Sequence, residues 1–412
     1  MKKILVIGAG IGQLFLAKKV KQQGHYLITV SLPGDFPVIE IADKVYYEDI
    51  FNKDGVLEIA RKEQIDAVIS DQNDLMMPTV AYVAEKMGLP GNRVSIVESY
   101  CNKNTFRDNC DKLGIPVPKH AAVNTLLIPE KMKGVPFPWM VKPADSQSSV
   151  GVARVNNMNE FDAALSFALS KSKTHAAIVE EFFCGQEVVC EGFIYKGRYY
   201  NLGFADRKYF DLPNLFIPSQ TLFPSMLPNC VSEKIIGFEK RMAEYTKPEF
   251  AIVHSEYLYN PTNDEIRVVE SALRGGGVYI SSHLVPLYTD IDINDVLLEC
   301  ACGNQVDIDA ILSNRNDRAS GYVCFYLPEG RITSVEGMDR LHELPFVKML
   351  SVSDIKIGEK THAMTHKGQR LGPILFSADN RRQLEQYIET MKSLLHIYVQ
   401  NEKGLIGDII WN

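Results

Sequence analysis

Short apolar runs alternate with amphipathic segments along the first hundred residues of the chain. The run at residues 4–7 is closed by glycines, which is typical of a strand buried in a parallel sheet. An amphipathic stretch follows and stops at Gly24, and the same order repeats as far as Gly88 and Pro90. The predicted strands are residues 4–7, 27–30 and 67–70, and the predicted helices are residues 13–22, 56–62 and a segment ending at Met87. This βαβ series predicts a doubly wound sheet, with ligands expected at the carboxyl ends of its strands.

The pattern becomes richer in strands after residue 100. The predicted strands are residues 139–143, 152–155, 177–183, 187–195, 199–204, 250–259 and 265–271, and the predicted helices are residues 103–113, 160–170 and 295–300. From about residue 321, short strands with glycine turns accompany one amphipathic helix at residues 380–395. We therefore predict an α/β chain of three domains, residues 1–97, 98–310 and 311–412.

Length and composition exclude several classes of protein. A chain of 412 residues with 46% hydrophobic and 23% charged residues suits two or three globular domains. The net charge of −7, with Lys and Arg spread along the chain, gives no electrostatic reason to expect nucleic acid or an anionic membrane. The amino terminus does not resemble a signal peptide, and no segment has the roughly 18 apolar residues that span a bilayer, so we expect a cytoplasmic protein. The eight cysteines show neither CxxC pairs nor metal-finger spacing and are expected to be free thiols.

A glycine-rich turn at residues 8–12 invites a dinucleotide-binding interpretation. The sixth position of the motif is Gln13, however, and the second strand is not clearly ended by an acidic residue. We favour a turn that only lets the first strand pack against its helix over a nicotinamide site.

A lysine and a serine-rich loop form the first stronger candidate. Lys142 ends a predicted buried strand, where an ammonium is costly unless it meets an anion. The following residues, 144–151, are small and rich in hydroxyls and could close over phosphates. By itself, this segment fits a phosphate site and a surface lysine before a flexible turn equally well.

The segment at residues 178–187 is a strand, a turn and a strand. Its apolar flanks could clamp a flat base, and Glu187 could accept from ribose hydroxyls. Considered alone, it is better explained as a hairpin with solvated glutamates.

The most specific constellation is Glu256, Glu270 and Arg274. Counting alternate residues outward from the predicted hairpin places both glutamates on one face of paired antiparallel strands. Two facing carboxylates repel unless a cation lies between them, and hard oxygen ligands suit Mg²⁺. Arg274 then adds a fixed positive charge, and residues 275–277 add an accessible glycine backbone. Metal and guanidinium together are what phosphoryl transfer requires.

The order of these motifs resembles the ATP-grasp superfamily over residues 1–305. The resemblance implies a Rossmann-like preceding domain (1–97), an ATP-grasp nucleotide-binding domain (98–310) and a small α+β carboxy-terminal ligase-type domain (311–412). It also implies ATP and Mg²⁺ as cofactors. The implied nucleotide contacts are Lys103 and Lys142 on the phosphates, the loop with Ser146, Ser148, Ser149 and Gly151 over them, Glu180, Glu181, Phe182 and Phe183 along the adenine, and Glu187 at the ribose. The implied metal ligands are Glu256 and Glu270, and Arg274 and Lys142 are the implied catalytic residues.

One position departs from the family, and the last hundred residues narrow the comparison. Relatives often carry Asn where this chain has Ala272, so the second metal ion would depend on Glu270 and water. Residues 321–397 resemble the carboxy-terminal domain of L-amino-acid ligases and related carboxylate–amine ligases. The resemblance implies small-molecule carboxylate and amine substrates, an acyl-phosphate intermediate, an amide product and a homodimer.

Two other functions remain open. One is a purine-pathway ligase or a bicarbonate-using ligase of the carbamoyl-phosphate synthase or carboxylase type, and the other is a catalytically silent nucleotide-binding module. Residues 206–208 and the proline-rich loop 213–224 are candidates for an acceptor pocket, although a surface loop explains them equally well. His254 and His283 are expected to be packed or solvated rather than catalytic.

Overall fold

The computed structural model describes residues 1–146, 150–212, 215–352 and 355–411. The amino-terminal region has the predicted alternation of strands and helices. Its elements are β1 (Lys3–Ile7), α1 (Ile11–Gln22), β2 (Tyr26–Ser31), α2 (Pro37–Ile41), β3 (Lys44–Tyr47), α3 (Lys53–Glu63), β4 (Ala67–Ile69), α4 (Met77–Met87) and α5 (Val94–Cys101). The four strands form a parallel sheet in the order β3–β2–β1–β4. The predicted doubly wound arrangement is thereby confirmed for this region.

A small antiparallel sheet follows. Its elements are α6 (Lys103–Leu113), β5 (His120–Val123), a 3-10 turn (Glu130–Met132), β6 (Trp139–Pro143), β7 (Ala153–Val155), α7 (Met158–Lys171) and β8 (Ala177–Glu181). The strand order is β5–β8–β6–β7. Helix α7 covers this sheet with buried Phe161 and Leu165, in one core with Trp139 and Val141. This packing fixes β6 and β8, which carry Lys142 and Glu180.

Longer strands and their helices come next. They are β9 (Gln186–Tyr195), β10 (Arg198–Tyr209), β11 (Pro218–Phe223), α8 (Asn229–Thr246), β12 (Phe250–Asn260), β13 (Glu265–Ala272), a π-helical turn (Ile280–Leu284), α9 (Val285–Thr289), α10 (Ile293–Ala301) and α11 (Ile308–Ser313). Strand β12 pairs antiparallel with β9 on one side and with β13 on the other. The predicted hairpin at residues 250–271 is therefore present, with Glu256 and Glu270 on its two strands.

The last part of the chain is a small α+β region, as predicted. Its elements are β14 (Ala319–Phe325), β15 (Gly330–Glu336), α12 (Met338–His342), β16 (Val347–Leu350), β17 (Lys360–Thr361), a 3-10 turn (Lys367–Gln369), β18 (Leu371–Ala378), α13 (Arg381–Leu394), β19 (His396–Gln400) and β20 (Ile406–Gly407). Strands β11, β14, β18 and β16 are neighbours in that order, and a second sheet has the order β17–β15–β19–β20. Helix α13 buries Leu384, Ile388 and Met391 in one hydrophobic core with residues of both sheets.

The chain divides into two compact units that differ from the three predicted domains. The first unit contains Met1–Leu202, Leu227–His283 and Ile291–Asn314, and the second contains Gly203–Met226, Leu284–Asp290 and the residues from 315 onward. The domain bounds 1–97, 98–310 and 311–412 remain predictions. All eight cysteines are free thiols. None of the helices in the described ranges has the length and apolar character needed to cross a bilayer.

Candidate active site

Lys103 begins helix α6, where the sequence predicted a helix start. The Asn102 side chain caps the helix by accepting from the backbone N–H groups of the second and third helical residues, at 3.0 and 3.1 Å. The Lys103 backbone N–H donates to the Ala144 carbonyl at 2.9 Å, and its Nζ donates to the Ser146 carbonyl at 2.7 Å. These bonds bring an ammonium and the positive end of a helix to the loop that follows β6, an arrangement that favours anions.

The loop after β6 is only partly described. Ser148 and Ser149, which the resemblance assigns to the phosphates, lie outside the described residues. Gly151 has a φ of +77°, and a Cβ at this position would lie 2.7 Å from Cγ of Pro143 and 2.9 Å from Cβ of Lys171. The far end of the loop therefore requires glycine for a steric reason, independently of any ligand.

Lys142 meets a buried carboxylate. Its Nζ lies 2.7 Å from Oε2 of Glu180, whose other oxygen, Oε1, accepts from Nε of Arg107 at 2.7 Å. We call these three residues the Glu180 cluster. Burial alone would raise the pKa of Glu180, but attraction and hydrogen bonds from Arg107 and Lys142 lower it to about 2. The sequence predicted that Lys142 needs an anion, and Glu180 of the protein supplies one.

Arg107 was missed by sequence reasoning. It is almost fully buried, and its Nη2 donates to the Val269 carbonyl at 2.6 Å, one residue before Glu270. A signal was available, because Arg107 follows Lys103 by one helical turn and adjoins the apolar positions of the same helix. Glu180 was expected along the adenine, and its two ion pairs were not anticipated.

The two phenylalanines of the predicted adenine segment are each covered by an arginine. The guanidinium carbon of Arg154 lies 4.4 Å from the ring centroid of Phe182, and that of Arg267 lies 4.9 Å from the ring of Phe183. Both distances are within cation–π range. The aromatic surfaces are therefore held in place by side chains from β7 and β13.

The other two predicted residues of this segment flank the phenylalanines. Glu181 ends β8, and its backbone N–H donates to the Lys119 carbonyl at 2.8 Å. Glu187 lies near the start of β9, directly opposite Leu258 of β12. The segment thus connects the small sheet to the strands that carry the two other glutamates.

Glu256 and Glu270 are direct partners across the β12–β13 hairpin. The neighbouring pair, Ser255 and Ser271, is joined through its hydroxyls at 2.8 Å and points to the opposite face. Side chains of directly opposed residues have Cβ atoms about 4.5–5.5 Å apart. The two carboxylates therefore share one face, as the sequence predicted, and a register shift of one residue between Glu256 and Tyr257 brings them opposite each other.

These two glutamates fit a metal site that is completed by ligand oxygens better than a site built entirely from protein side chains. Across the described ranges, no three His, Cys, Asp or Glu side chains converge as a metal-binding group. Mg²⁺ is commonly bound by one or two carboxylates together with substrate phosphates and water. Glu256 and Glu270 could therefore hold Mg²⁺ only in company with oxygens of a ligand.

His254 adjoins the glutamate pair and is packed, as expected. It lies opposite Ala272 and is 3% exposed. Nδ1 contacts the buried carboxylate of Glu191, and Nε2 lies 3.3 Å from Oε1 of Glu256. Burial alone would lower the pKa of His254, but Glu191 and Glu256 raise it to about 9. A positive imidazolium therefore borders one side of the glutamate pair, a contact that sequence reasoning missed.

Arg274 is held by a carboxylate from the amino-terminal sheet. Its Nε and Nη2 donate to the two oxygens of Asp74 at 3.0 and 2.7 Å. Burial opposes the charge of Arg274, but Asp74, Glu270 and Glu256 together raise the pKa of Arg274. The guanidinium is thus within electrostatic reach of both candidate metal ligands, as the sequence predicted. Asp74 was missed, although it follows β4 at the predicted ligand-binding edge.

A second aspartate anchors the glycine loop after Arg274. Asp71 is buried and accepts from the Gly275 backbone N–H at 2.6 Å and from the Ser281 hydroxyl at 2.8 Å. Burial raises the pKa of Asp71 despite these hydrogen bonds. The loop that begins at Gly275 is therefore attached to the same edge of the amino-terminal sheet as Arg274.

The glycine turn at residues 8–12 has a structural explanation. Gly8 has a φ of +92°, and its N–H donates to the Val30 carbonyl at 2.8 Å. A Cβ on Gly8 would lie 2.4 Å from the sulfur of Met76. The turn is closely packed within its own domain, which agrees with the interpretation favoured from sequence.

The segments that were candidates for an acceptor pocket were placed less accurately, whereas His283 is packed as expected. Pro213 lies outside the described residues, and residues 218–223 form strand β11, so the predicted loop 213–224 is wrong over that part. Proline is tolerated at the first residue of a strand, and the five residues that follow it in β11 are buried. Asp206 forms an ion pair with Arg381 at 2.9 Å. The ring of His283 packs edge-on against the ring of Phe15, with the ring centroids 4.1 Å apart, and burial lowers the pKa of His283.

Two family models match separate parts of the chain. Residues 110–196 match the model described as "D-ala D-ala ligase C-terminus", and residues 323–400 match "L-amino acid ligase C-terminal domain 2". The first match contains β6 and β8 with Lys142 and Glu180. The second covers most of the carboxy-terminal region and agrees with the resemblance predicted there.

The chain is also similar to two proteins named as a ligase and a synthase and to one solved ligase structure. The chain is 24% identical over 278 residues to alanine–anticapsin ligase of Bacillus subtilis, covering 61% of this chain and 57% of that protein. It is 30% identical over 209 residues to the amino-terminal section of the carbamoyl phosphate synthase large chain of Aquifex aeolicus, covering 45% of this chain and 37% of that one. The chain thus spans less than two thirds of these relatives. The L-amino acid ligase structure from Bacillus licheniformis superposes with a TM-score of 0.81 at 20% identity, covering 97% of this chain and 99% of that one, which shows a shared fold.

Proposed function

We propose that this chain, an ATP-grasp protein by its fold and by its two matched segments, is an ATP-dependent carboxylate–amine ligase. The observation that carries the proposal is the direct opposition of Glu256 and Glu270 on one face, with Arg274 in electrostatic reach of both. The relatives that support it are named as ligases or synthases. The ligase activity and both substrates of this chain are part of the proposal.

The nucleotide would lie between the small sheet and the β12–β13 hairpin. Lys103 and Lys142 would bind its phosphates. The Lys103 ammonium donates to the Ser146 carbonyl in the loop after β6, and Lys142 lies on β6 itself. Phe182 and Phe183 would border the base, together with Glu181, and Glu187 would accept from the ribose. This assignment is supported by the two arginines that fix the phenylalanine rings.

The bound metal would supply charge neutralisation for the transferred phosphoryl group. Glu256 and Glu270 would hold it with one or more carboxylate oxygens each. Arg274 would stabilise negative charge on the phosphoryl oxygens and on the acyl phosphate. Asp74 would keep the Arg274 guanidinium in one orientation through its two hydrogen bonds.

The reaction proceeds by two displacements. A carboxylate oxygen of the first substrate attacks the γ-phosphorus of ATP, and ADP leaves with the electrons of the broken P–O bond. An amine nitrogen then attacks the acyl carbon, loses a proton and displaces inorganic phosphate, so that an amide is formed. The likeness to alanine–anticapsin ligase favours an amino acid as one substrate, and with an amino acid as the other substrate too the product would be a dipeptide.

A bicarbonate-using or purine-pathway ligase is the second candidate. The 30% identity over 209 residues to a section of a carbamoyl phosphate synthase favours it. Such an enzyme would activate bicarbonate, or would use a phosphoribosyl amine as acceptor. A silent nucleotide-binding module would bind ATP without releasing ADP.

The test is substrate-dependent ADP release. Purified protein with Mg-ATP is incubated with pools of L-amino acids, and ADP, phosphate and new amides are measured by coupled assay and mass spectrometry. We expect ADP and phosphate in equal amounts, with an amide that appears only in the presence of both substrates. ADP release that follows bicarbonate or a phosphoribosyl amine would favour the second candidate. Tight ATP binding with no ADP from any carboxylate would refute the ligase.

A further inference from the structure

The Glu180 cluster contains one more positive charge than negative. Its two cations, Arg107 and Lys142, share one carboxylate, and the side chains of Arg107, Lys142 and Glu180 are only 2, 13 and 1% exposed. Glu180 is ionised at neutral pH, because its pKa is about 2. Two cations and one anion leave one positive unit in excess, in a place that water barely reaches.

Such an excess is unfavourable unless a further anion comes to it. A buried charge without a counter-charge loses hydration that the protein does not replace. Arg107 is the deeper cation, and it donates to Glu180 and to the Val269 carbonyl. Lys142 is the more exposed cation, and an ammonium has three N–H donors, of which Glu180 engages one.

Without Arg107, Lys142 and Glu180 would form a closed neutral pair. With Arg107 on Oε1, the carboxylate cannot fully compensate Lys142 on Oε2. The excess positive charge therefore remains at Lys142, which is the most exposed member of the cluster and the one assigned above to the phosphates. Arg107 also bonds the carbonyl that precedes Glu270, so that one side chain connects the two halves of the proposed site.

We propose that Arg107 is a positioning residue for the nucleotide: it occupies one oxygen of Glu180 and so keeps the charge of Lys142 available to a polyphosphate. This inference rests on the proposed nucleotide site. Arg107 itself touches no substrate. The role is one of charge balance, and a purely structural role for the same contacts makes different predictions.

The charge-balance role and the structural role of Arg107 predict different responses to the net charge of the Glu180 cluster. Arg107→Gln removes the charge but leaves an amide that can still donate to Glu180, so the cluster becomes neutral. Adding Glu180→Gln returns the cluster to one positive unit, carried by Lys142. The charge role predicts that the second substitution restores nucleotide binding, whereas a structural role predicts a further loss, because a second buried contact is altered.

The experiment measures the Kd of Mg-ATP by calorimetry for the wild type, Arg107→Gln, Arg107→Lys and the double variant. Loss of a residue that supports a binding group typically costs about 10- to 100-fold, and we expect about tenfold weaker binding for Arg107→Gln. The double variant should recover most of that loss. Arg107→Lys, which keeps the charge but not the two-sided contact, should bind Mg-ATP nearly as tightly as the wild type. If Arg107→Gln does not fold, clearly weaker binding by a folded Arg107→Lys overturns the charge role. Arg198→Gln, which breaks an exposed ion pair with Asp309 in the same unit, is the matched control and should bind as the wild type does.

The outcomes separate this inference from the proposed function. Wild-type protein that binds no Mg-ATP would refute the proposed nucleotide site itself. If the wild type binds, a wild-type Kd in Arg107→Gln overturns only the role of Arg107. The same conclusion follows if the folded double variant binds more weakly than Arg107→Gln, because charge balance would then not be the reason.

Discussion

In the Glu180 cluster one carboxylate lies between two cations, whereas on the β12–β13 hairpin two carboxylates lie opposite each other. The first arrangement is buried and has an excess of positive charge. The second is half-buried and keeps an excess of negative charge, because the two cations that border it, Arg274 and His254, also contact the carboxylates of Asp74 and Glu191. Both depart from the usual one-to-one pairing of buried charges.

The difference is informative because the two excesses have opposite signs. A metal–nucleotide complex also has two ends of opposite sign, a cation and a polyphosphate. Glu256 and Glu270 match the cation, and Lys142 with Arg107 matches the phosphates. Arg107 connects both regions through the Val269 carbonyl, so that they are part of one hydrogen-bonded structure.

Removing one charge from the negative region should have the largest effect. Glu270→Gln preserves the size of the side chain but removes a charged ligand from the proposed metal, and we expect kcat to fall by at least about a hundredfold. The measurement is ADP release at saturating ATP over a range of Mg²⁺ concentrations. Higher Mg²⁺ should recover part of the activity if metal binding is the cause.

A matched substitution on the same strand serves as the control. Glu265 lies at the far end of β13 and pairs with Arg267 at 3.0 Å, with 43% of its side chain exposed. Glu265→Gln should leave kcat and Mg²⁺ dependence unchanged. A folded Glu270→Gln with wild-type turnover would contradict the comparison of the two regions.

The Arg274–Asp74 pair is a neutral case between the two regions. Here one guanidinium is matched by one carboxylate, so the role of Asp74 is orientation rather than an excess of charge. We expect Asp74→Asn to lower kcat by about tenfold, since an amide can orient only part of the guanidinium. The KM for ATP should change less than kcat, because Arg274 is assigned to the transferred group.

The control for Asp74 comes from the opposite end of the same strand, β4. Asp66 is exposed, precedes β4 and accepts from the Lys3 backbone N–H at 2.7 Å. Asp66→Asn should leave kcat unchanged. If Asp74→Asn raises the KM for ATP and spares kcat, Arg274 belongs to nucleotide binding and not to phosphoryl transfer.

Local sequence signals located most of the candidate site. Helix α6 and strand β6 have the predicted bounds, because Asn102 and Gly114 mark the helix ends and the strand has an apolar pattern. The hairpin itself was also predictable from its turn, but the exact pairing was not. The register near the turn would place Val269 opposite Glu256, and a shift of one residue between Glu256 and Tyr257 brings Glu270 there instead. These features depend on residues that are close in the chain.

The contacts that sequence reasoning missed join distant parts of the chain. Arg107 and Glu180 are 73 residues apart, and Asp74 and Arg274 are 200 residues apart. Each residue alone is an ordinary charged side chain on a helix or after a strand. Only tertiary packing decides which of the many carboxylates becomes the partner of a buried cation, so spacing could not identify these pairs.

The smallest of the expected effects is on the free energy of unfolding at acidic pH, and it tests the Glu180 cluster alone. The pKa of Glu180 is lowered from its ordinary value of 4.5 to about 2 in the folded protein. A carboxyl whose pKa is lowered by folding stabilises the protein fully above its unfolded pKa, and this contribution is lost as the pH falls through the folded value. The free energy of unfolding should therefore fall between pH 4.5 and about 2, and part of that fall belongs to Glu180.

Glu180→Gln should lower stability at pH 7 but make the loss between pH 5 and 3 shallower, as measured by urea unfolding at a series of pH values. Glu58→Gln, on the exposed side of α3, should keep the wild-type slope. An equally steep loss in Glu180→Gln would mean that Glu180 is not held ionised between two cations, and the contrast with the glutamate pair would then fail at its positive end.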